Sequence, residues 1–286
     1  MSLLLGIVWV EPGLILKNYL TPILMAMMTL GCLKIDLKEL KKIKYDWWRY
    51  LIIIINLFFV SSFLIYLLKD YLDINIYLGL LIALALPCGI SVVAFAIIFD
   101  GNPTKSLITT STAHLLAPIL TPAIVWLFAH QTIKVDILSM FYLIFKLVII
   151  PIILAQAIKY FGFDKKLEKY IAPANTFFVA MLNWGGIAPI AGLITFKNHS
   201  FLLALLISLI ITILQIIFGF AFGRDREEKI TWSTINFYRN TGLATVIGLT
   251  SFGTASLVGL MAYVIVTNAI LAPFQFFLGK NLTTNK

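Results

Sequence analysis

The sequence predicts an all-α, polytopic membrane protein: nine full transmembrane helices after an N-terminal partial helix. Three observations carry that expectation. The 286 residues are 60% hydrophobic and 12% charged, whereas a soluble domain is about a quarter charged and under half apolar. The apolar residues come in repeated runs of about 18 or more, the length that crosses a bilayer. The basic residues fall in the short loops between those runs, and rich loops alternate with poor ones.

Taken in order, residues 2–17 form a stub interrupted by Glu11 and Pro12, too short and broken for a full span. Its opening, MSLLLGIVWVEPG, has no basic n-region and no small-residue cleavage site, so it does not read as a cleaved signal peptide. Charge clusters and turn signals then bound spans at about 20–34, 48–68, 76–99, 104–129, 137–158, 171–195, 201–222, 231–253 and 255–278. With the C-terminus in the cytoplasm, that side carries 16 lysines and arginines: six in 34–49, Lys105, four in 159–169, three in 224–229, Lys280 and Lys286. The other side carries four, Lys17, Lys69, Lys134 and Lys197, and Lys146 and Arg239 lie inside spans. Miscounting one span would swap the sides of every later loop and destroy the asymmetry.

A net charge of +9 would suggest nucleic acid in a soluble chain, but there is no basic stripe with interleaved aromatics. Nucleic acid is therefore excluded as a partner, leaving the lipid bilayer and a small solute. The oligomeric state is open, a monomer being compatible with the sequence. Cys32 and Cys88 both fall within spans, so no disulfide framework is expected. Gly-rich phosphate loops, HExxH, GxSxG and CxxC are absent, so no cofactor, metal site or catalytic residue is expected. An intramembrane enzyme would need a nucleophile and a base, for which Cys88 with His114 is the sole candidate pair.

Counting the stub, the chain divides into five elements plus five, a single transmembrane domain over 1–286 with repeats at about 1–130 and 136–280. An odd number of elements per half requires the second half to insert upside down. The fourth element of each half is interrupted at mid-span, by LALPCGIS (84–91) in the first and YRNTGLA (238–244) in the second. Breaks are expected near 87–89 and 240–242, and paired interrupted helices at matching places point to a transporter's binding site. Their unwound backbone must find partners in protein or in a water-filled cavity.

All 13 acidic residues fall in loops or at span ends. Polar groups at depth are instead Arg239, Asn240 and Thr241 beside Gly242, with Cys88, Gly89 and Ser91 at the other break and Asn183 in MLNWGG. These are the candidate substrate-binding residues. A cation at that depth normally faces a cavity or a partner, and the alternatives for Arg239 are snorkelling or an ion pair with Asp100. Ser106, Thr110 and His114 recur at i, i+4 and i+8, one stripe of a helix. With Asn236 they form a candidate coupling-ion or proton path, although a lone histidine also serves as a satisfied core residue. Cys88 is either a small apolar filler or a soft metalloid ligand. Lys146, just before Pro151, reads as a snorkelling side chain.

The run 86–125, LPCGISVVAFAIIFDGNPTKSLITTSTAHLLAPILTPAIV, with FKLVIIP (145–151) and RNTGLA (239–244), resembles the bile acid:sodium symporter family. The resemblance covers about 20–278 and is specific in those three blocks. It implies a core domain with two crossing discontinuous helices, a panel domain and alternating access. It also implies sodium ligands at a Glu, a Gln and a Ser-Asn pair, which here read Ile235, Arg239, Val92 and Val93, while Ser106 and Thr110 remain. A guanidinium repels sodium, so Arg239 is expected to stand as a tethered cation where relatives bind a mobile one. The function expected is secondary transport of a small carboxylate-bearing anion without sodium coupling. Two alternatives stay open: a sodium-coupled organic anion symporter with a non-standard sodium site, and, by resemblance to arsenite-efflux permeases with a cysteine in the first crossing helix, metalloid efflux through Cys88.

The loop charges generate a direct test. In a Lys42→Cys and an Asn198→Cys variant, a membrane-impermeant thiol reagent should label the two positions from opposite faces, Lys42→Cys from the cytoplasm. Labelling of both from one face would sink the partition.

Overall fold

The computed structural model describes residues 2–33, 46–195 and 198–278, and among them every regular element is helical. The basic residues of 34–44, Lys197, Lys280 and Lys286, on which much of the charge asymmetry rests, lie outside the described residues. The stub forms two short helices, α1 (Ser2–Val8) and α2 (Val10–Lys17), and α3 (Leu20–Cys32) follows after a bend of 77°. Helices α4 (Trp47–Ile55) and α5 (Ser61–Tyr66) are joined without interruption through a π-helical turn, Asn56–Val60. Six helical stretches are long and apolar enough to cross a membrane: Trp47–Tyr66, Pro103–Ala129, Ile137–Tyr160, Asp164–Leu193, His199–Phe222 and Thr254–Phe276. The bent pair α2–α3 would make a seventh.

The two remaining expected spans are each made of two short helices. The segment 76–99 is α6 (Ile74–Leu84) and α7 (Val92–Ile98), and the segment 231–253 is α12 (Arg226–Phe237) and α13 (Thr241–Phe252). Pro87 lacks a donor and disfavours helix in the residue before it, which ends α6 where the sequence suggests. The second break lies two residues earlier than expected: the non-helical residues are Tyr238, Arg239 and Asn240, and Gly242 is inside α13. The reason is local. Asn240 Oδ1 accepts from Leu243 N at 3.1 Å, an N-cap that starts the helix at Thr241.

The long helices are α8 (Pro103–Ala129), α9 (Ile137–Tyr160), α10 (Asp164–Ile187), α11 (His199–Phe222) and α14 (Leu257–Leu278). Helix α11 illustrates the membrane pattern. Ser208, Thr212 and Gln215 are buried on its inner face, while Leu206, Ile213 and Ile217 are exposed on the outer. Helix α3 packs on α9 and α10, α11 on α12 and α14, and α8 on α7, α9 and α12. Helices α6 and α14 approach so closely that a Cβ at Gly79 would stand 2.0 Å from Ser256 O, so only glycine fits there.

At the start of α12 sits a buried ionic cluster. Arg49 donates through NH1 to both carboxylate oxygens of Glu228 at 2.7 Å and through NH2 to Phe222 O at 2.8 Å, and Lys105 Nζ bonds the same carboxylate. Burial pushes the Glu228 carboxyl up, but the bonds from Arg49, Lys105 and the Arg224 amide outweigh it and hold it at about 2. A depressed carboxyl stabilises the fold above its ordinary value of 4.5, and the contribution is lost as pH falls through about 2. Glu228→Gln should cost about 3–5 kcal/mol at neutral pH by stranding Arg49. Thermal unfolding in detergent should show the wild-type advantage shrinking below pH 4.5. An unchanged melting temperature would remove the cluster from the account.

Candidate functional site

The two breaks cross as a single antiparallel bridge between Cys88 and Arg239. Gly89 N donates to Tyr238 O at 2.9 Å, and Asn240 N donates to Pro87 O at 2.9 Å. Each break supplies the partners that the other has lost by leaving the helix. The approach is tight at Gly89, where a Cβ would come within 3.0 Å of the Tyr238 ring and 3.2 Å of Arg239 O.

Arg239 is fully buried at this crossing. Its NH1 donates to Leu57 O at 2.5 Å and to Leu86 O at 3.3 Å, and its NH2 donates to Ser61 Oγ at 2.6 Å. Leu57 lies in the π-helical turn, where carbonyls leave the ordinary helical pattern, and Leu86 lies in the first break. A fourth oxygen, the Tyr263 hydroxyl, stands beside the guanidinium and donates its proton to Phe237 O at 2.5 Å. The group is thus caged by neutral oxygens. Among the described residues it pairs with no carboxylate, Asp100 included. Its NH1 and NH2 are occupied by protein, and its Nε has no hydrogen-bond partner among the described residues.

A cavity of about 590 Å³ opens against the crossing, within the size range of small-molecule sites. Of the residues nominated from sequence, Gly89, Ser91, Thr110, Asn183, Arg239, Asn240, Thr241 and Gly242 line it. Its wall also includes Asn175, Thr176, Tyr238 and Asn268, which sequence reasoning missed. Asn175, Val179 and Asn183 recur at i, i+4 and i+8 on α10, a stripe that could have been read from spacing. Among the described residues no acidic residue and no lysine is on the wall.

The other residues nominated from sequence are off this wall. Cys88 is fully buried and its Sγ donates to Thr110 Oγ1 at 3.5 Å. His114 Nε2 lies 3.1 Å from Asn240 Nδ2. Ser106 is buried with no hydrogen-bond partner for its hydroxyl among the described residues. Asn236 belongs to a separate buried amide cluster, in which Asn56 Nδ2 donates to Gln215 Oε1 at 2.6 Å and to Asn236 Oδ1 at 2.7 Å. Lys146 is on the exposed face of α9. Among the described residues no group of three or more His, Cys, Asp or Glu is placed to hold a metal ion.

Residues 21–222 match the profile of the Sodium Bile acid symporter family, more than half of the chain. The chain belongs to that family. It is a membrane transporter, spanning the bilayer several times. It is also 31% identical over 101 residues to a protein of Bacillus subtilis (strain 168) described as an uncharacterized sodium-dependent transporter, YocS. That match covers 35% of this chain and 31% of the relative, so the chain spans about a third of the relative's length. Within the family frame, Val92 and Ile235 stand at resemblance-implied sodium-ligand positions as fully buried apolar side chains, and Val93 faces the cavity.

The crossing yields a sharp expectation. Gly89→Ala must push the Tyr238 ring or the Arg239 carbonyl aside and should destabilise by about 1–3 kcal/mol, the usual overpacking cost. Gly192→Ala, where a Cβ meets nothing within 4 Å, is the control. Equal melting temperatures for the two variants would contradict the close approach.

Proposed function

We propose that the chain carries a small carboxylate-bearing anion across the membrane by alternating access, without sodium coupling. One observation carries the reading: Arg239 holds a buried positive charge beside a cavity whose wall has no acidic residue among the described residues. An anion about 6 Å from the guanidinium gains about 3 kcal/mol at an effective dielectric of 20. The first turn of α13 adds the positive end of its dipole, because Thr241 and Gly242 are on the wall. Asn183, Ser91 and Asn175 supply neutral groups for hydrogen bonds to the solute.

In this reading the whole chain is one transporter domain of nine spans and a partial helix, with inverted repeats at about 1–130 and 136–280 and the C-terminus in the cytoplasm. Helices α1–α3, α9 and α10 form a panel, α4–α8 and α11–α14 form a core, and the cavity lies between them. The oxygen cage around Arg239 stands in for a sodium site. The metalloid alternative draws no support from Cys88, which is off the cavity wall with its buried thiol bonded to the wall residue Thr110.

The printed description of the Bacillus relative as sodium-dependent favours a second reading, a sodium-coupled anion symporter with a non-standard site. Thermal-shift screening of the detergent-purified chain separates the two. A panel of small carboxylates, with arsenite alongside, is tested in sodium and in choline buffers. A carboxylate at 100 times its Kd should stabilise the fold by about 2.7 kcal/mol, equally in both buffers. Arg239→Gln should abolish the shift without creating sodium dependence. A wild-type shift that appears only in sodium establishes the second reading, and a shift from arsenite alone establishes the metalloid one.

A further inference from the structure

His114 is fully buried on α8, and each ring nitrogen has a partner. Nδ1 lies 2.8 Å from Thr110 O, and Nε2 lies 3.1 Å from Asn240 Nδ2. A carbonyl oxygen only accepts, so Nδ1 carries the proton. An amide nitrogen only donates, so Nε2 is the bare acceptor. Turning the Asn240 amide over would exchange its nitrogen and oxygen, which are alike in shape. It would also set Nδ2 against Leu243 N, donor against donor, because Oδ1 now accepts from that amide at 3.1 Å. The second amide hydrogen points to Met28 Sδ at 3.4 Å. One assignment satisfies every contact: a neutral His114 protonated on Nδ1, with the Asn240 oxygen on the helix cap.

We propose that His114 is a positioning residue: as a neutral acceptor it fixes the Asn240 amide, and through it the capped N-terminus of α13 on the cavity wall. His114 itself is not on that wall. Asn240 ties four elements together, since its backbone N–H holds Pro87 O and its side chain reaches α3, α8 and α13. This role departs from the proton-carrier expectation. A proton on Nε2 would face the amide NH2, and relieving that contact by turning the amide would uncap α13. The inference concerns how the wall is held, and it goes beyond the choice of solute.

Two measurements on the full chain in detergent test it. In a His130→Gln, His199→Gln background, 15N NMR of the single remaining imidazole should show a protonated Nδ1 and an unprotonated Nε2. Hydrogen–deuterium exchange of peptides covering 241–249 should be at least tenfold faster in His114→Leu, which has no acceptor. His114→Gln, which places a neutral carbonyl near Nε2, should restore wild-type protection. A proton on Nε2 at neutral pH overturns the proposal. So does unchanged exchange in the leucine variant, or a glutamine variant as labile as the leucine one. If His114→Leu does not fold, the tautomer and the glutamine variant's protection decide. Neither readout needs a bound solute, so failure here and failure of the anion reading are separate results.

Discussion

The structure depends on two backbone hydrogen bonds at the crossing, Gly89 N to Tyr238 O and Asn240 N to Pro87 O. A helix broken inside a bilayer exposes amides and carbonyls that lipid cannot satisfy, each at a cost of several kcal/mol. The two breaks answer this mutually, so neither can exist without the other. Gly89 is glycine because the partner backbone is so near. Pro87 ends α6 at the correct place, and Asn240 begins α13 once the crossing is made. The non-helical backbone and the cavity wall are therefore one construction.

Arg239 is the second element of that construction. Its cage draws on Leu86 O from one break and on Leu57 O and Ser61 Oγ from the α4–α5 segment, so the side chain fastens a third segment to the crossing. A buried guanidinium without a carboxylate is costly to desolvate. Charge-assisted bonds to three oxygens offset part of that cost. Among the described residues no carboxylate pairs with it, and it is the one charged residue on the cavity wall.

Much of this was legible in the sequence, for physical reasons that differ from residue to residue. Pro87 with Gly89 two residues on marks the first break, whereas Pro118, Pro122, Pro151, Pro173 and Pro273 stand inside continuous helices. The Ser106, Thr110 and His114 stripe follows from helical spacing, and all three are buried on α8. Asn240 and Gly242 together point to the second break because both weaken helices. In fact Asn240 caps, and Gly242 continues the helix. The cage was not legible at all. Two of its oxygens are backbone carbonyls, one released by a π-helical turn that no residue type encodes. The orientation of the Asn240 amide was equally hidden, because it is decided by three neighbours far apart in the chain.

The oxygen cage also bears on energetics. A cation joined to the chain by covalent bonds stays with the protein on both sides of the membrane, so it cannot dissociate down a concentration gradient. A carrier built on it would have no ion gradient to draw on through that site. The force on a monoanionic cargo would then be its own concentration ratio and the membrane voltage, about 2.3 kcal/mol per elementary charge for each 100 mV. Under the proposed reading, a side chain in place of a dissociable ion would make the carrier a device for equilibration rather than accumulation.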